Sequence, residues 1–96
     1  MSINSAIENV LLGIETGHVF DSHYVINELI ENHSDEYIRF MSQYKDSEQP
    51  TLTGHQMIGH EIKRFDGNIV ERMDYQSWSK NIHGTHGGCA LWKKKI

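Results

Sequence analysis

Two stretches of this chain hold side chains whose types and spacing could do chemistry. The first is His83-Gly84-Thr85-His86-Gly87-Gly88-Cys89, an H-x-x-H-x-x-C spacing with glycines that would let a loop wrap an ion. Zinc accepts such a mixture of imidazole and thiolate. Cys89 with His83 or His86, and Asp74 nearby, also offers the parts of a nucleophile and its base. Neither use is complete. Structural zinc sites usually join two ligand pairs, and the chain has one cysteine. A cysteine at the start of a strand is more often a small core residue. His60-Glu61 does not open an H-E-x-x-H motif, because residue 64 is Arg. With no glycine-rich phosphate loop or paired-carboxylate pattern either, the expectation is no catalytic role, no cofactor and no bound metal.

The second stretch is residues 53–65. Gln56, His60, Lys63 and Arg64 fall at i, i+4, i+7 and i+8, so a helix would gather them on one face. Ile58, Ile62 and Phe65 mark the opposite face. Thr53 and Gln56 have the spacing of a capping box, which predicts the helix start at residue 53. The polar face is rich in donors. Glutamine can pair with an adenine edge and arginine with a guanine edge, while His and Lys can reach bases or phosphates. An ordinary solvated helix has the same composition, so the elements around it must decide.

The 96 residues predict one domain, 38% hydrophobic and 23% charged. The N-terminal residues lack a basic n-region and their apolar positions are interrupted by Glu8, Asn9 and Gly13, which predicts neither a signal peptide nor a membrane span. Cytoplasmic location is then the default, and the lone cysteine agrees. The net charge of −4 argues by itself against a nucleic-acid binder. Its distribution does not. Residues 1–50 hold nine acids against two bases, and residues 51–96 hold four acids against seven bases. Four of the seven histidines also lie in the second half. Histidine ordinarily gains charge below about pH 6.5.

Stepping along the chain, Ile3, Ile7, Val10, Leu11 and Ile14 predict a first helix over 3–14, with Gly17 as its stop. This helix could serve a homodimer, but covering the core is its simpler use. His18-Val19-Phe20 is a stub of strand. Asp21 is a good N-cap for a second helix over 22–33. Ser34 caps a third, with Asp35 and Glu36 in its first turn. Residues 45–52, with the only proline, form a polar loop. Asp66-Gly67-Asn68 is a turn. Residues 69–73 and 89–92 then read as short strands around a long loop over 74–88. Trp78 in that loop is expected to be buried and to pin the loop to the body. Exposed, it would be a stacking residue beside Lys80.

Three helices, a fourth, and a terminal β-hairpin make an α+β domain whose element order resembles the winged helix-turn-helix superfamily. The resemblance makes residues 53–65 the recognition helix, 74–88 the wing, and 1–17 an additional N-terminal helix. It implies a DNA-binding regulator. Gln56, His60, Lys63 and Arg64 would contact duplex DNA from the helix, and Lys80, Asn81 and His83 from the wing. Arg72, Lys93, Lys94 and Lys95 would act on phosphates. The linker over 45–52 is longer than the usual three or four residues of the motif. An alternative from a different class is a docking module, in which Asp21, Glu28, Glu31, Asp35 and Glu36 meet a basic protein partner.

Overall fold

The computed structural model describes residues 2–80 and 86–96, the side chains at 77, 79, 80 and 86 excepted. Helix α1 (Ile3–Leu12) is started by Ser2, whose Oγ accepts from the Ser5 N–H at 3.2 Å. Its inner face is Ala6, Ile7 and Leu11, all fully buried, so the apolar stripe covers the core. The helix ends at Leu12, earlier than residue 14. Gly17, at φ +87°, makes the turn into strand β1 (Val19–Asp21). Only glycine adopts that φ readily.

Asp21 ends β1 and caps helix α2 (Ser22–Asn32), its Oδ1 accepting from the Tyr24 N–H at 2.9 Å. Helix α3 (Ser34–Ser42) follows after the single residue His33. The predicted Ser34 cap is not formed. Ser34 is already the first helical residue, and His33 at the cap position gives no side-chain bond. No residue of α3 is fully buried; Tyr37, Phe40 and Met41 rest against the core from outside.

Helix α4 (Pro50–Lys63) corrects the predicted capping box. Pro50 starts it, because proline fixes φ near the helical value and lacks a hydrogen that the first turn could not pair. Thr53 is therefore inside the helix, with its N–H donating to the Gln49 carbonyl at 2.9 Å. The helix buries Gly54, Ile58 and Ile62, one residue per turn. A Cβ on Gly54 would overlap the thioether end of Met41, so a side chain there requires that end of α3's Met41 to move aside. A Cβ on Gly59 would meet nothing within 4 Å.

After the turn at Gly67 (φ +83°), strands β2 (Val70–Lys80) and β3 (His86–Lys94) form a hairpin much longer than two short strands. Most of the predicted loop over 74–88 is therefore strand. The three-stranded antiparallel sheet has the order β1-β3-β2. The register shifts between Arg72 and Gln76: three β2 residues stand between partners of Trp92 and Ala90, where β3 has only Leu91. Extra residues of this kind bend and twist a hairpin. Trp78, beyond the shift, is 72% exposed, so it does not pin the hairpin to the body.

The core joins α1, α2 and α4 to the sheet through Trp92, which is 1% exposed. Its Nε1 donates to Ser22 Oγ at 3.3 Å, and the Arg72 guanidinium stacks 5.4 Å from its ring centre. Among the described residues no helix is long and apolar enough to cross a membrane.

The two glycines of α4 should respond oppositely to substitution. Gly59→Ala is expected to stabilise by about 0.5–1 kcal/mol, since alanine is the better helix former and has room. Gly54→Val is expected to destabilise by about 1–3 kcal/mol through overpacking against Met41. Urea unfolding of the two variants checks both signs.

Candidate functional site

Gln56, His60 and Lys63 follow one another at four- and three-residue steps on α4, with Gly59 beside His60, opposite buried Ile58 and Ile62. They form one wall of a groove of about 640 Å³. The start of α2 gives the end wall, through Ser22, His23 and Ile26. The hairpin gives the other side, including Arg72, Gln76 and Cys89. The groove exists partly because Gly59 has no side chain to fill it.

The electrostatics of this lining are one-sided. Lys63 and Arg72 are present with His23, His55 and His60, and none of the described residues lining the groove is Asp or Glu. By contrast, a second hollow of about 560 Å³ beside β1 is bordered by Glu15 and Asp21. Arg72 is half-buried, held by its stack on Trp92, and its Nε has no hydrogen-bond partner among the described residues. Its charge is thus fixed in place at the groove. Lys63 and His60 are exposed by comparison. His55 is held by Tyr37, whose Oη lies 2.7 Å from His55 Nε2.

Four expected contact residues therefore share one surface: Gln56, His60, Lys63 and Arg72. Arg64 does not join them. It is the exposed C-cap of α4, and its Nε lies 3.1 Å from Glu61 Oε2. Lys93 is exposed and stands across from Glu71. Strand alternation puts it on the face of the sheet away from Trp92. Lys94 is a clear correction. It is 4% exposed, and its Nζ donates to the carbonyls of Ile14 at 2.6 Å and Leu12 at 3.2 Å. A cation there satisfies the orphan carbonyls at the end of α1 and is not offered to phosphate. Lys95 Nζ donates to the Gly67 carbonyl at 3.2 Å. Lys80 ends β2. Asn81 and His83 lie outside the described residues.

The acids of the docking alternative are partly engaged at home. Asp21 caps α2, Glu28 accepts from Asn32 Nδ2 at 2.8 Å, and Glu36 lies 3.9 Å from Arg39.

His23 and Cys89 escaped the sequence reading as neighbours of each other. Together with Asp21 they bring one nitrogen, one sulfur and one carboxylate oxygen within 4.8 Å of one another. Residues 23 and 89 are too far apart in the chain for any local motif to link them. The pairing that does link them, β1 with β3, is not visible in periodicity. No family model, no curated protein and no solved structure matches the chain.

Burial raises the Tyr37 phenol above its ordinary value of 10.0. The folded protein then holds this proton more tightly than the unfolded chain does. The resulting stability is intact below about pH 10 and is lost as pH rises from there through the folded value. A Tyr37→Phe variant is expected to lose less stability than the parent above about pH 10. Urea midpoints measured across that range check the sign.

Proposed function

We propose that this chain is a small winged-helix-like DNA-binding protein, with a regulatory or accessory role in transcription and no catalysis of its own. The observation that carries this reading is the groove beside α4, whose described lining holds Lys63 and Arg72 and no carboxylate. An acidic chain that keeps its acids out of one concave surface suits a polyanion there. Gln56 and His60 add donors able to reach base edges from the same helix face. The hairpin supplies exposed Tyr75 within the register shift and exposed Trp78 beyond it, aromatic groups that suit a nucleic-acid surface as a flanking wing. The order β1-β3-β2, with β1 between the first two helices, supports the same comparison. Lys94 leaves the contact set because its ammonium is committed to α1. Gln56, His60, Lys63 and Arg72 form its centre, and Arg64 stands just beyond the end of the same helix.

The test is a salt titration of binding to random-sequence duplex DNA. The logarithm of the affinity is expected to fall linearly with the logarithm of salt, with a slope of about −0.9 per phosphate contacted. Lys63→Gln, at an exposed helix position, is expected to make that slope shallower by about 1 while leaving the unfolding midpoint unchanged. Folded parent protein that fails to retard duplex at about 50 mM salt overturns the proposal.

A further inference from the structure

We propose that Asp21, His23 and Cys89 form a binding site for a divalent transition metal, zinc being the natural occupant. The site does not depend on the DNA reading and involves residues on three structural elements.

Its geometry follows from the sheet. In the β1–β3 pairing Val19 faces Lys93, Phe20 faces Trp92 and Asp21 faces Leu91. Continuing that register by two residues sets position 23 opposite position 89. The chain turns into α2 at Ser22, and Ser22 Oγ remains near enough to donate to the Ala90 carbonyl at 3.5 Å. The first turn of the helix thus replaces the missing strand and carries His23 onto Cys89. Asp21 reaches the same point diagonally, from beside Leu91. All three residues are half-buried, and one ligand atom from each lies within 4.8 Å of the others.

The donor set selects the ion. Calcium and magnesium want oxygen ligands, whereas thiolate and imidazole suit zinc. Tetrahedral zinc with bonds of about 2.0–2.3 Å holds its ligands roughly 3.3–3.8 Å apart. The observed spacing needs only a modest inward adjustment. Thiolate and carboxylate together cancel the charge of the ion, so it adds no net positive charge at the positive end of α2. Asp21 can cap and ligate at once, because a carboxylate has two oxygens and about four lone-pair sites. On binding, the Cys89 thiol gives its proton to solvent and the sulfur bonds the metal. Three protein ligands leave a fourth position for water. His23 and Cys89 also line the groove, so that water would sit at its wall.

A cysteine–histidine–aspartate relay uses the same residue types but a different arrangement. There the thiol and the carboxylate address opposite nitrogens of the imidazole, and so stand apart. Here a single imidazole nitrogen lies within 4.8 Å of both, and sulfur and carboxylate lie within that distance of each other. Convergence on one point is the geometry of ligation.

The experiment is titration of the reduced, full-length protein with Co²⁺ as a spectroscopic probe, then displacement by Zn²⁺. The expected result is a thiolate-to-cobalt charge-transfer band with tetrahedral ligand-field absorption, saturating at one equivalent. Zn²⁺ is expected to abolish it, to raise the Tm, and to slow alkylation of Cys89 at least tenfold. His23→Ala and Asp21→Asn should each weaken Co²⁺ binding at least tenfold. Asn retains the cap acceptor, so the second variant keeps the fold even if the first loosens it. A His83→Ala/His86→Ala double variant should bind as the parent does. The proposal is overturned if the parent shows no thiolate band. It is equally overturned if His23→Ala leaves the band intact, or if the double variant abolishes it.

Discussion

Everything in this fold leans on the burial of Trp92, near the end of the central strand. β3 pairs with β1 on one side and β2 on the other, so among the described strands it is the one that touches both. Trp92 stands where the three meet, paired with Phe20 in one direction and Arg72 in the other. Its indole N–H must find a partner once buried, and Ser22 at the start of α2 supplies it. Two residues on, Lys94 turns inward on the same face and bonds the end of α1. Thus one stretch of alternating residues fixes two helices and both neighbouring strands. Removing so large a buried ring typically costs about 3–5 kcal/mol. Small domains have roughly 5–15 kcal/mol in total, so this contact approaches the margin of the fold.

The groove is a consequence of the same contact. Arg72 reaches it because the guanidinium lies against the indole. α4 forms its wall because Ile58 and Ile62 pack inward, which leaves Gln56, His60 and Lys63 outward by helical geometry alone. Gly59 leaves the space between them open on the α4 side. These three conditions are independent of one another.

Helices and their inner faces were legible in the sequence because they depend on neighbours three and four residues away. The Asp21 cap, the turn at residues 66–68 and the stripe of α4 are all of this local kind. The capping box at Thr53 failed because a second local signal, Pro50, lies three residues upstream and won. The hairpin was harder. Glycine and serine read as loop, yet Gly87 and Gly88 pair with Ser79 and Trp78, and the ladder that holds them is a long-range property. Lys94 shows a third kind of failure. A run of three lysines looks like a solvated tail. With Trp92 placed in the core, strand alternation alone sends 94 inward and leaves 93 and 95 outside. The candidate site was legible only where it coincided with α4. Its remaining walls come from strand pairings between residues distant in the chain, Phe20 with Trp92 and Arg72 with Trp92 among them.

Net charge is a poor guide to what such a surface attracts. The chain is acidic as a whole, but many of its carboxylates have local work. Asp21 caps a helix, Asp66 accepts from the Arg72 backbone N–H, and Glu28 and Glu61 face partners on their own helices. At an ionic strength of about 0.15 M, exposed charges act over roughly 8 Å, so a ligand in the groove feels its lining and little of the far side. That lining is Lys63, Arg72 and histidines. The charges nearest such a ligand are set by which residues the sheet and α4 bring together: two cations in the lining, with the Asp21 carboxylate close behind His23 and Cys89.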